Sequence, residues 1–386
     1  MEHEHTQASA PPVTTGELWT SKQRQASALH EISYRACFKP QLPRYFIERY
    51  SQPGDTVYDP FTGRGTTIVE AALMGRRVIS NDVNPLSRIL TEPRLLLPSL
   101  DAIEARLDEI PDRHDDMECH DLSMFFHPET ERALAALRRY LAARKASGRE
   151  DAADKWIRMA ATNRLTGHSP GFFSVYTLPP NQATSRERQR LINAKRGQTP
   201  EYRDVKTLIL KKSRSLLAGL SEEDADRVRA IGEAALFTEA DARQTKSIPD
   251  ETVQLTVTSP PFLDIVQYSA DNWLRCWFNA IDDKDVGRAI TMSRTIGEWS
   301  DVMGDVMREL FRVTRPAGYV AFEVGEIRKG TLRLEEAVIP LGEAAGFRCV
   351  SLLINQQQFS KTSNIWGVRN NNHGTNTNRI ALFRKE

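Results

Sequence analysis

The chemistry of this chain is concentrated in two short motifs, of which the first is a glycine turn at residues 59–67. The turn, Asp-Pro-Phe-Thr-Gly-Arg-Gly-Thr-Thr, stands between a short β-like run and a helix-like run at 68–74. Glycines lack a Cβ, so ligand atoms can approach the main chain, and the free amides of a helix start face the ligand. Asp82 follows the next strand-like run, about 20 residues on, where α/β nucleotide folds place an acid that binds ribose hydroxyls. The pattern predicts a site for a nucleotide-like ligand.

This glycine turn is not predicted to be a phosphate loop. No G-x-x-x-x-G-K-[ST] is present, and the third glycine of G-x-G-x-x-G is missing. A tight strand-to-helix turn with no ligand is the structural alternative. A second motif far downstream, Ser259-Pro260-Pro261-Phe262, argues for a ligand. It ends the strand-like run 253–258, which is apolar enough for a central position in a parallel sheet.

Together the two motifs resemble those of the S-adenosylmethionine-dependent DNA amino-methyltransferases, which modify cytosine N4 or adenine N6. The resemblance covers residues 30–92 and 235–386, and residues 95–233 carry no motif of that family. It implies S-adenosylmethionine as the cofactor. The cofactor-binding residues that it implies are Phe38, Asp59, Pro60, Phe61, Gly63, Gly65, Thr66, Thr67, Asp82, Asn84 and Asp241.

Within that resemblance the cofactor lies across residues 61–65, with Asp82 on its ribose and Asp241 and Asn84 near its adenine. The segment that begins at Phe38 packs on its methionine end. Each role has a structural alternative: a helix cap for Asp82, a strand-end turn for Asp241, and a helix start packed on the sheet for Phe38.

The resemblance implies that Ser259, Pro260, Pro261 and Phe262 are the catalytic residues. An exocyclic amine is a poor nucleophile because its lone pair is delocalised into the base, and acceptors at its hydrogens favour the nucleophilic form. The Ser259 hydroxyl and the Pro260 carbonyl are suited to accept those hydrogens, while Pro261 stiffens the turn. Phe262 offers a stacking face to a flipped base. Methyl transfer is then direct, with alignment as the main catalytic factor.

The segment from Lys155 to Arg214 is strongly basic. It holds 13 basic and three acidic residues, a charge of +10, whereas the whole chain carries only +1. Such asymmetry is typical of a surface for a polyanion. The residues predicted to bind DNA are Arg164, His168, Asn181, Arg186, Arg188, Arg190, Lys195, Arg196, Lys211 and Lys212, with Phe172, Phe173 and Tyr176 between them as candidates to wedge or stack. A solvated basic surface that touches only phosphates is the alternative.

The predicted fold is α/β, a Rossmann-like seven-stranded methyltransferase sheet whose last strand is antiparallel. A largely helical insertion separates strands 2 and 3. The corresponding division of the chain is a disordered tail at 1–16, a catalytic domain at 17–94 and 235–386, and a basic insertion at 95–234 that recognises the target. The long polar stretch 360–378 is predicted to be a functional or mobile loop.

Composition narrows the class of protein. No apolar run reaches the ~18 residues of a membrane span, and the N-terminus has no apolar signal region. The four cysteines show no C-x-x-C pair and none follows a proline, which excludes zinc, redox and cytosine-C5 nucleophile patterns. Their scatter fits a reducing cytosol, so we expect a cytoplasmic protein with no metal.

The prediction is a DNA methyltransferase that acts on double-stranded DNA, with a cognate restriction endonuclease as a further candidate partner. Serine at the first position of the second motif leans towards cytosine N4 within the resembled family. Three alternatives stay open: adenine N6 as the target, RNA as the substrate, and a non-catalytic DNA-binding protein that kept the fold.

Overall fold

A computed structural model of the chain describes residues 11–17, 26–34, 37–112, 121–177, 183–261, 268–289, 293, 295–324, 326–327, 332–356 and 377–386. Its centre is one eight-stranded sheet, and a two-stranded hairpin lies beside it. The strands are β1 (Val13–Gly16), β2 (Thr56–Asp59), β3 (Arg77–Asn81), β4 (Leu236–Thr238), β5 (Val253–Thr258), β6 (Thr314–Val324), β7 (Glu326–Ile327), β8 (Leu332–Arg333), β9 (Arg348–Gln356) and β10 (Thr377–Arg384).

Helices cover both faces of the sheet. They are α1 (Gln41–Tyr50), α2 (Thr66–Leu73), α3 (Pro85–Thr91), α4 (Pro93–Leu96), α5 (Leu100–Glu109), α6 (Pro128–Ala146), α7 (Ala152–Arg164), α8 (Arg186–Arg196), α9 (Val205–Leu217), α10 (Glu222–Glu233), α11 (Tyr268–Phe278), α12 (Asp283–Ala289), α13 (Ile296–Val313) and α14 (Glu335–Ala344). A 3-10 helix, Ala28–His30, precedes α1.

The sheet runs in the order β1-β9-β10-β6-β5-β2-β3-β4. Strands β6, β5, β2, β3 and β4 pair in parallel, and β10 lies antiparallel between β6 and β9. From β2 the chain winds outward through β3 to β4, then returns to β5 on the other side of β2. In open α/β sheets such a reversal leaves a crevice at the carboxyl ends of the two strands. The topology therefore places a ligand site where β2 and β5 end.

This architecture confirms the predicted Rossmann-like α/β fold and its antiparallel last strand. The strand predicted at 253–258 is observed as β5 with the same bounds. The sheet nevertheless has an eighth strand, because β1 pairs in parallel with β9 from Val13↔Leu352 to Gly16↔Asn355. The sequence analysis placed residues 1–16 in a disordered tail. Residues 13–16 instead find the open edge of β9, and the β-branched Val13, Thr14 and Thr15 suit that pairing.

The core lies on the two faces of the sheet. Along β2, Val57 packs with one apolar cluster and Tyr58 with the other, as the two-residue period of a strand requires. The cluster that contains Val57 continues into Trp156 of α7 and Ile209 of α9. Between β3 and β4 the described chain is helical, and these helices share a core with the sheet instead of building a separate one.

Neither a membrane segment nor a metal centre is evident in the part of the chain that the structure describes. None of its helices combines the length and apolar character needed to cross a bilayer. Within the same ranges, no group of three or more His, Cys, Asp or Glu side chains is arranged to hold a metal ion.

The glycine turn is held from behind by α3 and α4. Gly65 has φ +79°, and a Cβ placed there would lie 2.4 Å from Oγ1 of Thr91 in α3. Arg94 of α4 is completely buried, and its guanidinium donates to the carbonyls of Arg64, Leu29 and Leu90. Because both the main-chain angle and the close packing exclude a side chain at Gly65, the turn requires glycine at this position.

We therefore expect Gly65→Ala to destabilise the protein more than Gly219→Ala. Gly219 has a similar φ of +76°, but a Cβ there meets nothing within 4 Å. The control variant carries only the cost of the left-handed backbone, about 1–2 kcal/mol. Gly65→Ala adds the clash with Thr91, about 1–3 kcal/mol more. Urea unfolding of both variants measures the difference, and equal losses would show that Thr91 does not constrain the turn.

Candidate active site

A cleft lies at the predicted crevice, above the carboxyl ends of β2 and β5. It encloses about 890 Å³ of empty space, including solvent at its mouth. The predicted site residues that line it are Pro60, Phe61, Gly63, Asp82, Asn84, Asp241, Ser259 and Pro261. Residues from both motifs, about 200 positions apart in the chain, therefore share one cavity.

Asn81 at the end of β3 holds two walls of the cleft together. Its side chain is fully buried, and its amide donates to the carbonyls of Pro60 (3.1 Å) and Ala240 (3.0 Å). Its carbonyl oxygen accepts from the Thr238 hydroxyl at 2.6 Å and from the Ala240 amide at 2.9 Å. All its hydrogen-bonding groups are thus used to link the glycine turn with the loop that carries Asp241.

Asp82 closes the glycine turn onto the start of α3. One carboxylate oxygen accepts from the Gly63 amide at 2.8 Å and the other from the Asn84 amide at 2.9 Å. Burial raises the pKa of Asp82 to about 6. Each oxygen keeps a second lone pair, which can accept a ligand hydroxyl. Asn84 is the cap of α3, because its side chain accepts from the Leu86 amide, and it also donates to the Tyr34 hydroxyl at 3.3 Å.

Asp59 joins the two motifs beneath the cleft. The Asp59 side chain is buried, and its Oδ1 accepts from the Phe61 amide at 3.1 Å and from the Thr258 hydroxyl at 2.6 Å. Thr67 makes a parallel link, since its hydroxyl donates to the Val257 carbonyl at 3.0 Å. Burial raises the pKa of Asp59 to about 7. The residue before Ser259 is therefore fixed to the glycine turn.

Ser259 has an acidic partner that the sequence analysis did not identify. Its hydroxyl lies close enough to the carboxylate of Glu323, near the end of β6, to lower the pKa of that carboxyl. Glu323 also accepts from the Asn378 amide of β10 at 2.9 Å. Burial raises the pKa of Glu323, and the two hydrogen bonds act against that rise. Because a carboxylate only accepts, a Ser259 hydroxyl that donates to Glu323 keeps its lone pairs for another donor.

The remaining wall of the cleft is the apolar face of α13. Trp299 is 2% exposed, and its indole N–H donates to the Pro261 carbonyl at 3.0 Å. This bond fixes the loop after Ser259 from the side opposite to Asp59. Val302, Met303 and Val306 continue the same wall towards Ala242.

The residues of the cleft fit S-adenosylmethionine. Gly63 leaves the main chain open to the cavity, and Asp82 provides an acceptor for ribose hydroxyls. Between Ala242 and α13 the lining is apolar, which suits the faces of an adenine ring. Asp241, whose pKa is lowered by its bond to Arg243 at 2.5 Å, stands at the edge of this apolar part.

Several predicted site residues do not line the cleft. Phe38, Asp59, Gly65, Thr66, Thr67 and Pro260 are absent from its walls. Gly65, Thr66 and Thr67 face the core because α2 begins there, and the Phe38 carbonyl accepts a hydrogen bond from Arg64 of the turn at 3.2 Å. Phe262 and Asn181, and the predicted loop as far as residue 376, lie outside the described residues.

The predicted DNA-binding residues fall into two groups. Arg164, Lys211 and Lys212 surround a second cavity, whereas Arg186, Arg188, Arg190, Lys195 and Arg196 lie on α8. His168 lies near Phe172 with ring centroids 6.2 Å apart. Phe172 and Phe173 are buried, so the prediction that they wedge or stack on bases is wrong for these rings. The Tyr176 ring is covered by the Arg196 guanidinium at 3.9 Å.

Sequence reasoning missed Tyr34, Asn81, Trp299 and Glu323. Glu323 could have been found, because it is an acid at the end of a predicted strand and such ends converge at the site. Trp299 lies on the amphipathic helix α13, but periodicity does not say which apolar residue of a helix contacts a loop from another part of the chain.

The buried carboxyl group of Asp59 predicts a dependence of stability on pH. Its pKa of about 7 lies above the value of an unfolded chain, so the folded state binds more protons between about pH 4 and 7. The contribution of the Asp59 carboxyl to the stability of the folded state is therefore present at low pH and is lost as the pH rises through 7. Asp59→Asn keeps an acceptor for Phe61 and Thr258 but cannot ionise. Between pH 5 and pH 8, the urea midpoint of the wild type should therefore decrease more than the midpoint of the variant. Equal decreases in the two proteins would refute the assignment.

Comparison with known proteins finds similarity around the first motif. Residues 2–87 match the DNA methylase family. The chain is 37% identical to the type II methyltransferase M.MjaII of Methanocaldococcus jannaschii over 76 residues, 19% of this chain and 14% of that protein. It is 23% identical to M.BsoBI of Geobacillus stearothermophilus over 308 residues, 74% of this chain and 60% of that enzyme. The chain thus spans less than two thirds of these relatives.

Solved structures give weaker likenesses. The putative DNA modification methylase TTHA0409 of Thermus thermophilus, solved with S-adenosylmethionine, is 22% identical and aligns over 38% of this chain and 51% of that one, with a TM-score of 0.23. A methyltransferase of Methanosarcina mazei aligns over 88% and 96% at 10% identity and a TM-score of 0.34. The fold assignment therefore rests on strand order. The family match covers the glycine turn and Asp82, and it supports S-adenosylmethionine as the cofactor of the cleft.

Proposed function

We propose that this protein is an S-adenosylmethionine-dependent DNA methyltransferase that modifies the exocyclic N4 amine of cytosine in a flipped-out base. The observation that carries the proposal is the position of Ser259. It lies in the same cleft as Gly63 and Asp82, and its hydroxyl is close enough to Glu323 to lower the pKa of that carboxyl. The match of residues 2–87 to the DNA methylase family supports DNA methylation.

The hydrogen bond from Ser259 to Glu323 prepares an acceptor for the amine. When bound, S-adenosylmethionine would supply the methyl group for the amine nitrogen from its sulfonium, which becomes a neutral thioether. An amine hydrogen donates to the Ser259 oxygen, whose lone pairs face away from Glu323. This bond draws the nitrogen towards its nucleophilic form, and the Pro260 carbonyl is the proposed second acceptor.

Glu323 has a second role after the methyl group has moved. The methylated nitrogen carries one hydrogen too many and releases it as a proton to the Ser259 oxygen, while the Ser259 hydrogen passes to the carboxylate of Glu323. The raised pKa of Glu323 suits a group that must accept a proton near neutral pH. Glu323 acts through Ser259 and is therefore a positioning residue for the amine.

Serine at position 259 favours cytosine within the resembled family, and the basic helices favour a nucleic acid. Arg186 and Arg190 lie on α8, where Gln189 is the only buried residue. The basic face of this helix is therefore open to a polyanion. We propose double-stranded DNA as the partner, bound through phosphate contacts that dominate such interfaces.

Nucleoside mass spectrometry tests the activity. The protein is incubated with S-adenosylmethionine and either unmethylated duplex DNA or total RNA, and digested nucleosides are searched for added methyl groups. N4-methylcytosine from DNA is the expected product. N6-methyladenine would change the target base, and methylation confined to RNA would change the substrate. Cofactor that fails to bind in a calorimetry cell would leave a non-catalytic DNA-binding protein.

The pair Ser259 and Glu323 gives a sharper prediction. Ser259→Ala and Glu323→Gln should each lower kcat by about a hundredfold or more, because the amine loses its oriented acceptor. The affinities for S-adenosylmethionine and DNA should stay near those of the wild type. Calorimetry and anisotropy check the affinities, and single-turnover methylation checks the rate.

The pH profile separates this role from a purely structural one. Wild-type kcat should fall as pH falls through the raised pKa of Glu323, because a protonated carboxyl no longer accepts from Ser259. Glu323→Gln should have lost that acid limb. A variant that keeps the wild-type profile, or turns over at the wild-type rate, would remove Glu323 from the mechanism.

A further inference from the structure

A second cavity opens beside the cleft, on the side of the helices between β3 and β4. It encloses about 1490 Å³ of empty space, including solvent at its mouth. Four cations line it, and we call it the basic pocket, defined by Glu31, Tyr34, Arg64, Arg164, Lys211 and Lys212. Glu31 is the one acid among these lining residues, so the basic pocket carries an excess of positive charge.

The buried cations of the basic pocket differ from several other basic residues of this region. Five cations outside the pocket have an acid within 3 Å, in the pairs Lys155–Glu92, Arg158–Glu150, Arg190–Asp121, Arg203–Glu201 and Lys206–Asp112. Lys212 is only 7% exposed, and its nearest acid is Glu31 at 3.7 Å. Buried charges are normally paired at close range. The basic pocket therefore holds positive charge that the described residues do not neutralise.

The guanidinium of Arg164 is positioned by its neighbours in a way that suits the binding of an anion. Its guanidinium carbon lies 4.3 Å from the ring centroid of the buried Phe172, and Nη2 donates to Asn163 at 2.7 Å. Its Nε is buried and has no partner among the described residues. Burial lowers the pKa of Arg164 to about 10 and that of Lys212 to about 8. An anion in the basic pocket would relieve this desolvation.

The basic pocket adjoins the cleft at two residues. Tyr34 lines both cavities, and Arg64 belongs to the glycine turn whose Phe61 and Gly63 line the cleft. The shared wall is fixed, because Arg64 donates to the Ile32 carbonyl at 3.0 Å and Arg275 of α11 donates to the Ser33 carbonyl at 3.1 Å. A group in the basic pocket is thus the neighbour of a group in the cleft.

We propose that the basic pocket binds a phosphate of the target strand next to the nucleotide whose base enters the cleft. The proposal rests on the proposed function and adds to it a binding site for the DNA backbone next to the flipped nucleotide. Three of the four cations come from α7 and α9, and the half-buried Leu208 offers apolar contact to a sugar. A carboxylate of the cofactor is the other oxyanion that could reach Arg64, and the test separates the two.

The test compares Arg164→Gln and Lys211→Gln with Arg214→Gln, which removes an exposed charge from the same helix α9 outside the basic pocket. The probe is a fluorescein-labelled, mixed-sequence single-stranded oligonucleotide, followed by anisotropy at several salt concentrations. Each pocket variant should bind about tenfold more weakly. The log–log salt slope should become shallower by about 0.7 for each lost contact. The control should change affinity by less than about twofold.

Calorimetry with S-adenosylmethionine completes the test. Unchanged cofactor affinity in the pocket variants supports a phosphate site, and a loss of cofactor binding would assign the pocket to the cofactor carboxylate and overturn the proposal. Equal losses of oligonucleotide affinity in Arg214→Gln and Lys211→Gln would show a general electrostatic attraction without a specific phosphate site, and would overturn the proposal. Failure of the proposed function is seen separately, as wild-type protein that yields no methylated nucleoside. Lys211 is exposed, so its variant should fold even where Arg164→Gln does not.

Discussion

The hydrogen bond from Thr258 to Asp59 is the contact on which the rest of the site depends. It joins the ends of β5 and β2, the two strands where the winding of the sheet reverses. A crevice exists at such a reversal in any sheet of this order. In this chain the Thr258–Asp59 hydrogen bond also fixes the position of Ser259 relative to the glycine turn. A methyl transfer governed by alignment needs that distance to be constant.

That link places a carboxyl group in a desolvated position, and the surrounding structure compensates in part. The Phe61 amide and the Thr258 hydroxyl both donate to Asp59, yet burial still holds its pKa near 7. Burial also raises the pKa values of Asp82, which lines the cleft, and of Glu323 behind Ser259, so three acids with raised pKa values lie at or next to the cleft. Clusters of this kind mark functional sites more often than structural ones. Asn81 and Trp299 stabilise the walls of the cleft with neutral groups, so the acids are available to interact with a ligand.

Much of the fold was predictable because its causes are local. The apolar run 253–258 and the turns with glycine or proline around it give β5 its observed bounds, and the capped start of α10 at Ser221 follows from its sequence. The partners of Ser259 and Pro261 were not predictable in the same way. Glu323 and Trp299 reach them across strands and helices far apart in the chain, and only the register of β5 with β6 and the rotation of α13 decide those contacts. The edge strand β1 was missed because its pairing depends on β9, more than 300 residues away.

The helices between β3 and β4 were predicted as a separate recognition region, and their packing changes what such a region can do. Trp156 and Ile209 share an apolar core with Val57 of the central sheet. A region that shares a core with the sheet cannot swing on a linker, so its cations keep a fixed place relative to Ser259. Arg64 makes this coupling direct, because it belongs to the glycine turn and also faces the basic pocket. In the proposed complex, the contacts to the DNA backbone and the contacts to the cofactor would both involve this glycine turn, so one turn would position both groups.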